Sequence, residues 1–383
     1  MKRSLQFFAF LSFALVASSA LSQAVAYVYV VNNPKNSSTN EISAWSVAAN
    51  GKLTPIAGSP FREDVEAMAV DGGHLLAVSA SQPNIDTFVI EPNGALRYQA
   101  STDYAAHAPD DYCPIANQIF FDHTGSTLYV QEFNADCLTN TGVASYALNK
   151  LNGKLRYLGI NNTGDFPGDN NVAHFTGNNV YAYTAVNSDC MYYGIYGFKR
   201  KPNGMLTSGG SLANYPTPST SFSRFVPDLV AADWANNLAM LMQPANPPGC
   251  LAMPPQLATY TVSSTGTLST KSKYSNMPAS LVTNPYDMRM SPSGKLLAVA
   301  GQQGLQIFHF NGSNPITHDT GLLTTDPVNQ IFWDNSNHLY AISQSTGKLR
   351  IYTVTPTSVQ LVSGTPRLID NPKYLIVQPL VHP

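Results

Sequence analysis

The stretch Ile42-Ser-Ala-Trp45-Ser-Val47 sets a phrase of apolar, any, any, aromatic, any, apolar, and the chain carries it seven times. Later copies occupy residues 85–90 around Phe88, 143–148 around Tyr146 and 195–200 around Phe198. The last three occupy 257–262 around Tyr260, 305–310 around Phe308 and 349–354 around Tyr352. Only the copy ending at Arg200 breaks the final apolar position. The aromatic-to-aromatic intervals are 43, 58, 52, 62, 48 and 44 residues. Strand-type patterning that returns every ~40–50 residues marks an array of small sheets, not one continuous core.

Each phrase has the same surroundings. A second apolar run precedes it, as in Tyr27-Val-Tyr-Val-Val31, Leu75-Leu-Ala-Val78 and Leu339-Tyr-Ala-Ile342. A turn and a Leu follow most copies, as in Asn50-Gly-Lys-Leu53, Asn93-Gly-Ala-Leu96 and Asn152-Gly-Lys-Leu155. Asn-Gly between apolar runs predicts a hairpin, because both residues tolerate positive φ. Copies two to seven also have a short strand upstream, such as Asn117-Gln-Ile-Phe-Phe-Asp122 and Asn329-Gln-Ile-Phe-Trp-Asp334. Each unit is therefore four antiparallel strands, here called A to D, and the fold class is all-β: a seven-bladed β-propeller. The first copy lacks strand A, and residues 371–379 supply an A strand with no B after it. The ring is expected to close by pairing that C-terminal strand with the N-terminal strand B.

The chain has 383 residues, 11% charged, and a formal net charge of -2. That balance offers no basic field for nucleic acid. Residues 1–24 read as a signal peptide: Lys2 and Arg3 precede an apolar stretch with small-residue cleavage options after it. No later stretch is apolar for long enough to span a bilayer. Residues 25–383 read as one propeller domain, expected to be secreted or periplasmic and monomeric. Cys113, Cys137, Cys190 and Cys250 are then expected to form disulfides. Blade positions favour Cys113 with Cys137 and Cys190 with Cys250.

The opening Tyr27-Val-Tyr-Val-Val-Asn32, the Trp45 phrase, and residues 50–61 together resemble the secreted bacterial seven-bladed propellers of the lactonase-like (YVTN-repeat, 6-phosphogluconolactonase-like) group. The resemblance covers the mature chain and implies the fold. For activity it implies either lactone chemistry or a protein without a reaction. Members that act on lactones tend to carry a Pro-Arg-His phrase entering a strand A. The nearest phrases here are Pro285-Tyr-Asp-Met-Arg289 and Val226-Pro-Asp228, a departure that favours binding over hydrolysis.

Long insertions fall in the B–C and D–A loops, which share one face of such a blade, and all four cysteines lie on that face. Long loops on a rigid scaffold are where binding usually sits. The first residues of strand A rim the channel, and aligning them gives Glu66, Asn117, Asn170, Asp228, Asp287, Asn329 and Tyr374. Six of these seven are Asp, Asn or Glu, a ring of oxygens suited to a polyhydroxy ligand or a hard cation. The structural alternative is that Asp and Asn simply bond nearby backbone where a strand begins. For an enzyme, the candidates are Glu66, Asp228, Asp287 or His107 as base, with Arg224 or Arg289 holding an anion. No motif implies a cofactor or a bound metal. The leading expectation is a binding scaffold for a sugar- or lactone-type small molecule, or for a protein, at the loop-face mouth of the channel. The alternative is a lactonase-like hydrolase or isomerase. The opposite face, with its tight turns, is expected to offer a partner little.

Overall fold

A computed structural model describes residues 23–380, apart from 36, 108–115, 133–140, 165–171, 189 and 248. Residues 1–22, most of the expected leader, lie outside the described residues, as do Cys113, Cys137 and Asn170.

Seven sheets, each built on four antiparallel strands, form the seven blades of a propeller. Blade two shows the unit: A Val65–Val70, B His74–Ser79, C Asn84–Ile90 and D Leu96–Asp103, hydrogen-bonded in that order. Blade one takes its B strand from Ala24–Asn32 and its A strand from Pro372–Pro379, paired from Ala26 with Pro379 to Asn32 with Pro372. The expected closure between the termini is therefore present.

The repeated aromatic has one job in every blade. Trp45, Phe88, Tyr146, Phe198, Tyr260, Phe308 and Tyr352 are all buried. Each lies mid-strand on C, where a large ring fills the space between neighbouring blades. The apolar run on strand B supplies a second tie. Tyr29, Tyr129 and Tyr183 donate hydroxyl hydrogen bonds to the carbonyls of Gly94, Gly204 and Gly266, at 2.8, 2.7 and 2.7 Å. Each acceptor sits in the C–D turn of the next blade. The turn must come close to the tyrosine. Gly94 has φ +84°, and a Cβ there would lie 2.6 Å from the Ile56 side chain. The Asn-Gly turns are thus both hairpin formers and blade couplers.

Asp71, Asp122, Asp233 and Asp334 close the A–B turns on the opposite face. The Asp233 carboxylate accepts from the amides of Ala235 and Asn237 at 2.8 and 2.7 Å. Asp334 accepts from His338 N at 2.9 Å, His338 Nδ1 at 2.7 Å and the Tyr340 hydroxyl at 2.7 Å. His74 and His338, where these turns lead into strand B, are buried against Asp71 and Asp334.

Candidate functional site

The A strands line the channel, and their pairing with the B strands sets the level of each residue along it. Register shifts mark a β-bulge at the loop-face end of five A strands, at Glu66, Asn117, Asp228, Tyr286 and Lys373. A bulge inserts one residue and re-aims the side chains around it. The level next inward holds Ala67, Gln118, Leu229, Asp287, Gln330 and Tyr374, each facing the B-strand residue three beyond the one paired with the blade's C-strand aromatic. The expected oxygen ring therefore mixes two levels. Glu66, Asn117 and Asp228 occupy bulges, whereas Asp287 and Tyr374 lie one residue deeper.

Where these levels meet, the channel opens into a cavity of about 560 Å³ on the inserted-loop face. Asp228, Tyr286, Asn329 and Lys373 line its rim, and Gln118, Asp287, Gln330 and Tyr374 its wall. Asn187, near the end of the strand Tyr181–Ser188, and the loop residues Asn284 and Gln344 complete the lining. The wall is braced around the ring. Asp287 Oδ2 accepts from Ile331 N at 2.9 Å, and Gln330 Oε1 from Leu375 N at 2.6 Å. The Tyr374 hydroxyl donates to Gln118 Oε1 at 3.3 Å and is also bonded to the Met68 backbone. Each of these side chains reaches from its own blade to another inner strand. Burial raises the Tyr374 hydroxyl to about 12, with Arg289 pulling the other way, so it stays a neutral donor.

The floor of the cavity is formed by His174 and Arg289, which also line a second cavity on the turn side. They mark the waist of the channel. Arg289 Nε donates to Asp287 Oδ1 at 3.1 Å, and its guanidinium lies 5.4 Å from the Phe332 ring centroid. Burial pushes His174 down to about 3, and the positive charge of Arg289 adds to the effect. His174 is therefore a neutral imidazole at physiological pH.

The remaining candidates fall elsewhere. Glu66 is exposed at its bulge and does not line the cavity. Arg224 stands farther out, its guanidinium bonded to the Tyr193 hydroxyl and 5.9 Å from that ring. His107 ends a 3-10 turn at Ala105–His107, and its side chain lies outside the described residues. Among the described residues, no group of three or more His, Cys, Asp or Glu is placed to hold a metal ion. Cys190 and Cys250 are joined, as expected, with their Cα atoms 5.1 Å apart. The bond ties the B–C loops of blades four and five, and Cys250 itself touches the cavity. Cys190 is buried against Val226 and Ala245.

Sequence reading missed Gln118, Gln330, Lys373 and the pairing of His174 with Arg289. One signal was present. The phrase Asn-Gln-Ile-Phe occurs at both 117–120 and 329–332, and its Gln lines the cavity both times.

The propeller has counterparts among solved structures. A Lactobacillus plantarum protein superposes with a TM-score of 0.65 at 14% identity, covering 92% of this chain and 99% of that one. A putative 6-phosphogluconolactonase from Bacteroides fragilis gives 0.63 at 12%, covering 92% and 98%. The Pseudomonas aeruginosa periplasmic gluconolactonase PpgL gives 0.65 at 12%, again covering 92% and 98%. No family model matches the chain, and no curated protein does. The class is thus settled by shape: a seven-bladed propeller with lactonase-type structural neighbours. At such identities the likeness is one of fold.

Proposed function

We propose that this chain binds a small, hydroxyl-rich, sugar-type molecule in the loop-face mouth of its channel and does not transform it. The observation that carries this is the 560 Å³ cavity, whose wall alternates acceptors and donors. Asp228 and Asp287 accept, Lys373 and Arg289 donate, and Asn329 and Gln344 do both, while Tyr374 and Gln330 brace the wall through bonds already made. Such a volume and lining suit a monosaccharide-sized ligand. The disulfide between Cys190 and Cys250 pre-organises two of the loops that would cover it, which lowers the ordering cost of binding.

Lactone hydrolysis is the second reading, favoured by the names of two structural neighbours and by carboxylates and an arginine sharing one cavity. On it, Asp228 or Asp287 would act as base and Arg289 would hold the developing anion. Against it, a useful base has a pKa near the working pH. His174 lies far below that, and Asp287 is engaged by both Arg289 and Ile331 N. Export past the inner membrane fits the disulfide, and among the described residues no helix is long and apolar enough to cross a membrane.

The test is calorimetric titration with hexoses, aldonic acids and aldonolactones, with NMR of the recovered ligand. Binding that weakens in Asp228→Asn, with the ligand returned unchanged, supports the reading. Lactone consumption above background that is lost in Asp287→Asn establishes the hydrolase instead.

A further inference from the structure

The turn-side end of the channel, expected to offer little, holds a cavity of about 330 Å³ with an aromatic wall. Its rim is built from one repeated position, the residue after the first residue of each A–B turn. In blades three, five, six and seven that residue is His123, Trp234, Pro292 and Asn335, and all four line the cavity. In blade four it is Gly177, whose absent Cβ would lie 1.8 Å from the Trp234 carbonyl oxygen. The missing side chain lets the blade-five turn lie across blade four. Trp234 and His123 then meet over it, with ring centroids 4.4 Å apart, and Phe175 lies 6.0 Å from His123.

These three turns are held in fixed relation. His123 N donates to Asn179 Oδ1, and Asn178 N to Asn236 Oδ1, both at 3.1 Å. Yet Trp234 is 55% exposed at a turn tip, where polar residues are the rule. Across the cavity stands Arg289, which faces Asp287 through Nε. Its two terminal nitrogens carry no hydrogen bond among the described residues. Asp233, the carboxylate on this rim, is turned inward onto Ala235 and Asn237. Among the described residues, the cavity therefore combines a stacking surface with the terminal nitrogens of Arg289, whose Nε is paired with Asp287.

We propose that this turn-side cavity is a second small-molecule site, across the shared His174–Arg289 waist from the mouth, for a single planar ring bearing a carboxylate. The ring lies against Trp234, His123 and Phe175, and the carboxylate takes the terminal nitrogens of Arg289. The volume is at the low end for small-molecule pockets and admits one ring with a short substituent.

Benzoate is the probe, followed by saturation-transfer NMR and tryptophan fluorescence, with benzyl alcohol as the uncharged comparison. Benzoate is expected to bind the native protein, and benzyl alcohol about tenfold more weakly. Trp234→Ala, at an exposed position, is expected to weaken benzoate about tenfold without lowering the melting temperature. Arg289→Met should abolish the preference for benzoate over the alcohol. Asp228→Asn, on the mouth rim, should leave benzoate binding unchanged. Equal benzoate affinity in Trp234→Ala and the native protein overturns the proposal. So does benzoate binding that Asp228→Asn removes, which would assign the ligand to the mouth. A mouth site that fails its own titrations leaves this test unaffected, because the Trp234 contrast reads only the turn side.

Discussion

Removing residues 372–383 deletes the A strand of blade one and opens the ring. The strand contributes Tyr374, Leu375, Ile376 and Val377, all at most 8% exposed. Leu375 and Val377 pack with Val28, Val30, Tyr340 and Ile351, so the loss falls on blades one and seven together. At about 1.5–3 kcal/mol for each buried apolar side chain, the four account for about 6–12 kcal/mol. Seven register pairs with strand B, from Ala26 to Asn32, are lost as well. A typical domain has about 5–15 kcal/mol in total. The truncated chain is therefore expected to lack a cooperative unfolding transition in urea followed by circular dichroism. Two graded variants bracket the effect. Leu375→Ala should cost about 2–5 kcal/mol. Leu368→Ala, 76% exposed, should change stability by less than about 0.5 kcal/mol. A truncated chain that unfolds at the native midpoint would refute the reasoning, because the ring would then not depend on its closing strand.

Three further outcomes are expected. Reducing Cys190–Cys250, which closes a span of 60 residues, should cost up to about 4 kcal/mol on the chain-entropy view. It should also weaken mouth binding, and unchanged affinity after reduction would show that those loops do not cover the ligand. His174 has a depressed folded pKa, so the native state resists a proton that the unfolded chain accepts below about 6.5. Stability should fall as pH drops from about 6.5 toward 3, with no contribution from this group above that window. In His174→Gln the slope should be shallower, and an NMR titration of His174 with a midpoint near 6.5 would contradict the burial argument. Gly177→Ala should be strongly destabilising, since its Cβ would overlap the Trp234 carbonyl; a native melting temperature would mean the blade-five turn is not seated on blade four.

The fold was legible because a propeller writes its core into local phrases. Every aromatic of the seven phrases is buried, and the orphan strands at the two ends do pair. The channel was legible only to within one residue. Side chains alternate with period two along a strand, so a single inserted residue moves a side chain to the other face. The bulges leave no mark in composition, and so Asp287 was placed at the level of Asp228 when it lies one step deeper. Lys373 was passed over for Tyr374 for the same reason. The His174–Arg289 waist joins residues 115 positions apart on blades four and six, and no spacing rule links them. The turn-side cavity was hidden by a sound generalisation about tight turns, which Trp234 breaks.

The central claim is that the loop-face mouth holds a small polar ligand. The most direct measurement is a crystal structure of the protein soaked with the tightest-binding sugar acid or lactone from the calorimetric panel. The expected result is an intact ligand between Asp228, Lys373 and Tyr374, with its carboxylate or ring oxygens toward Arg289. A mouth that holds only solvent while the ligand sits elsewhere on the propeller would contradict the account.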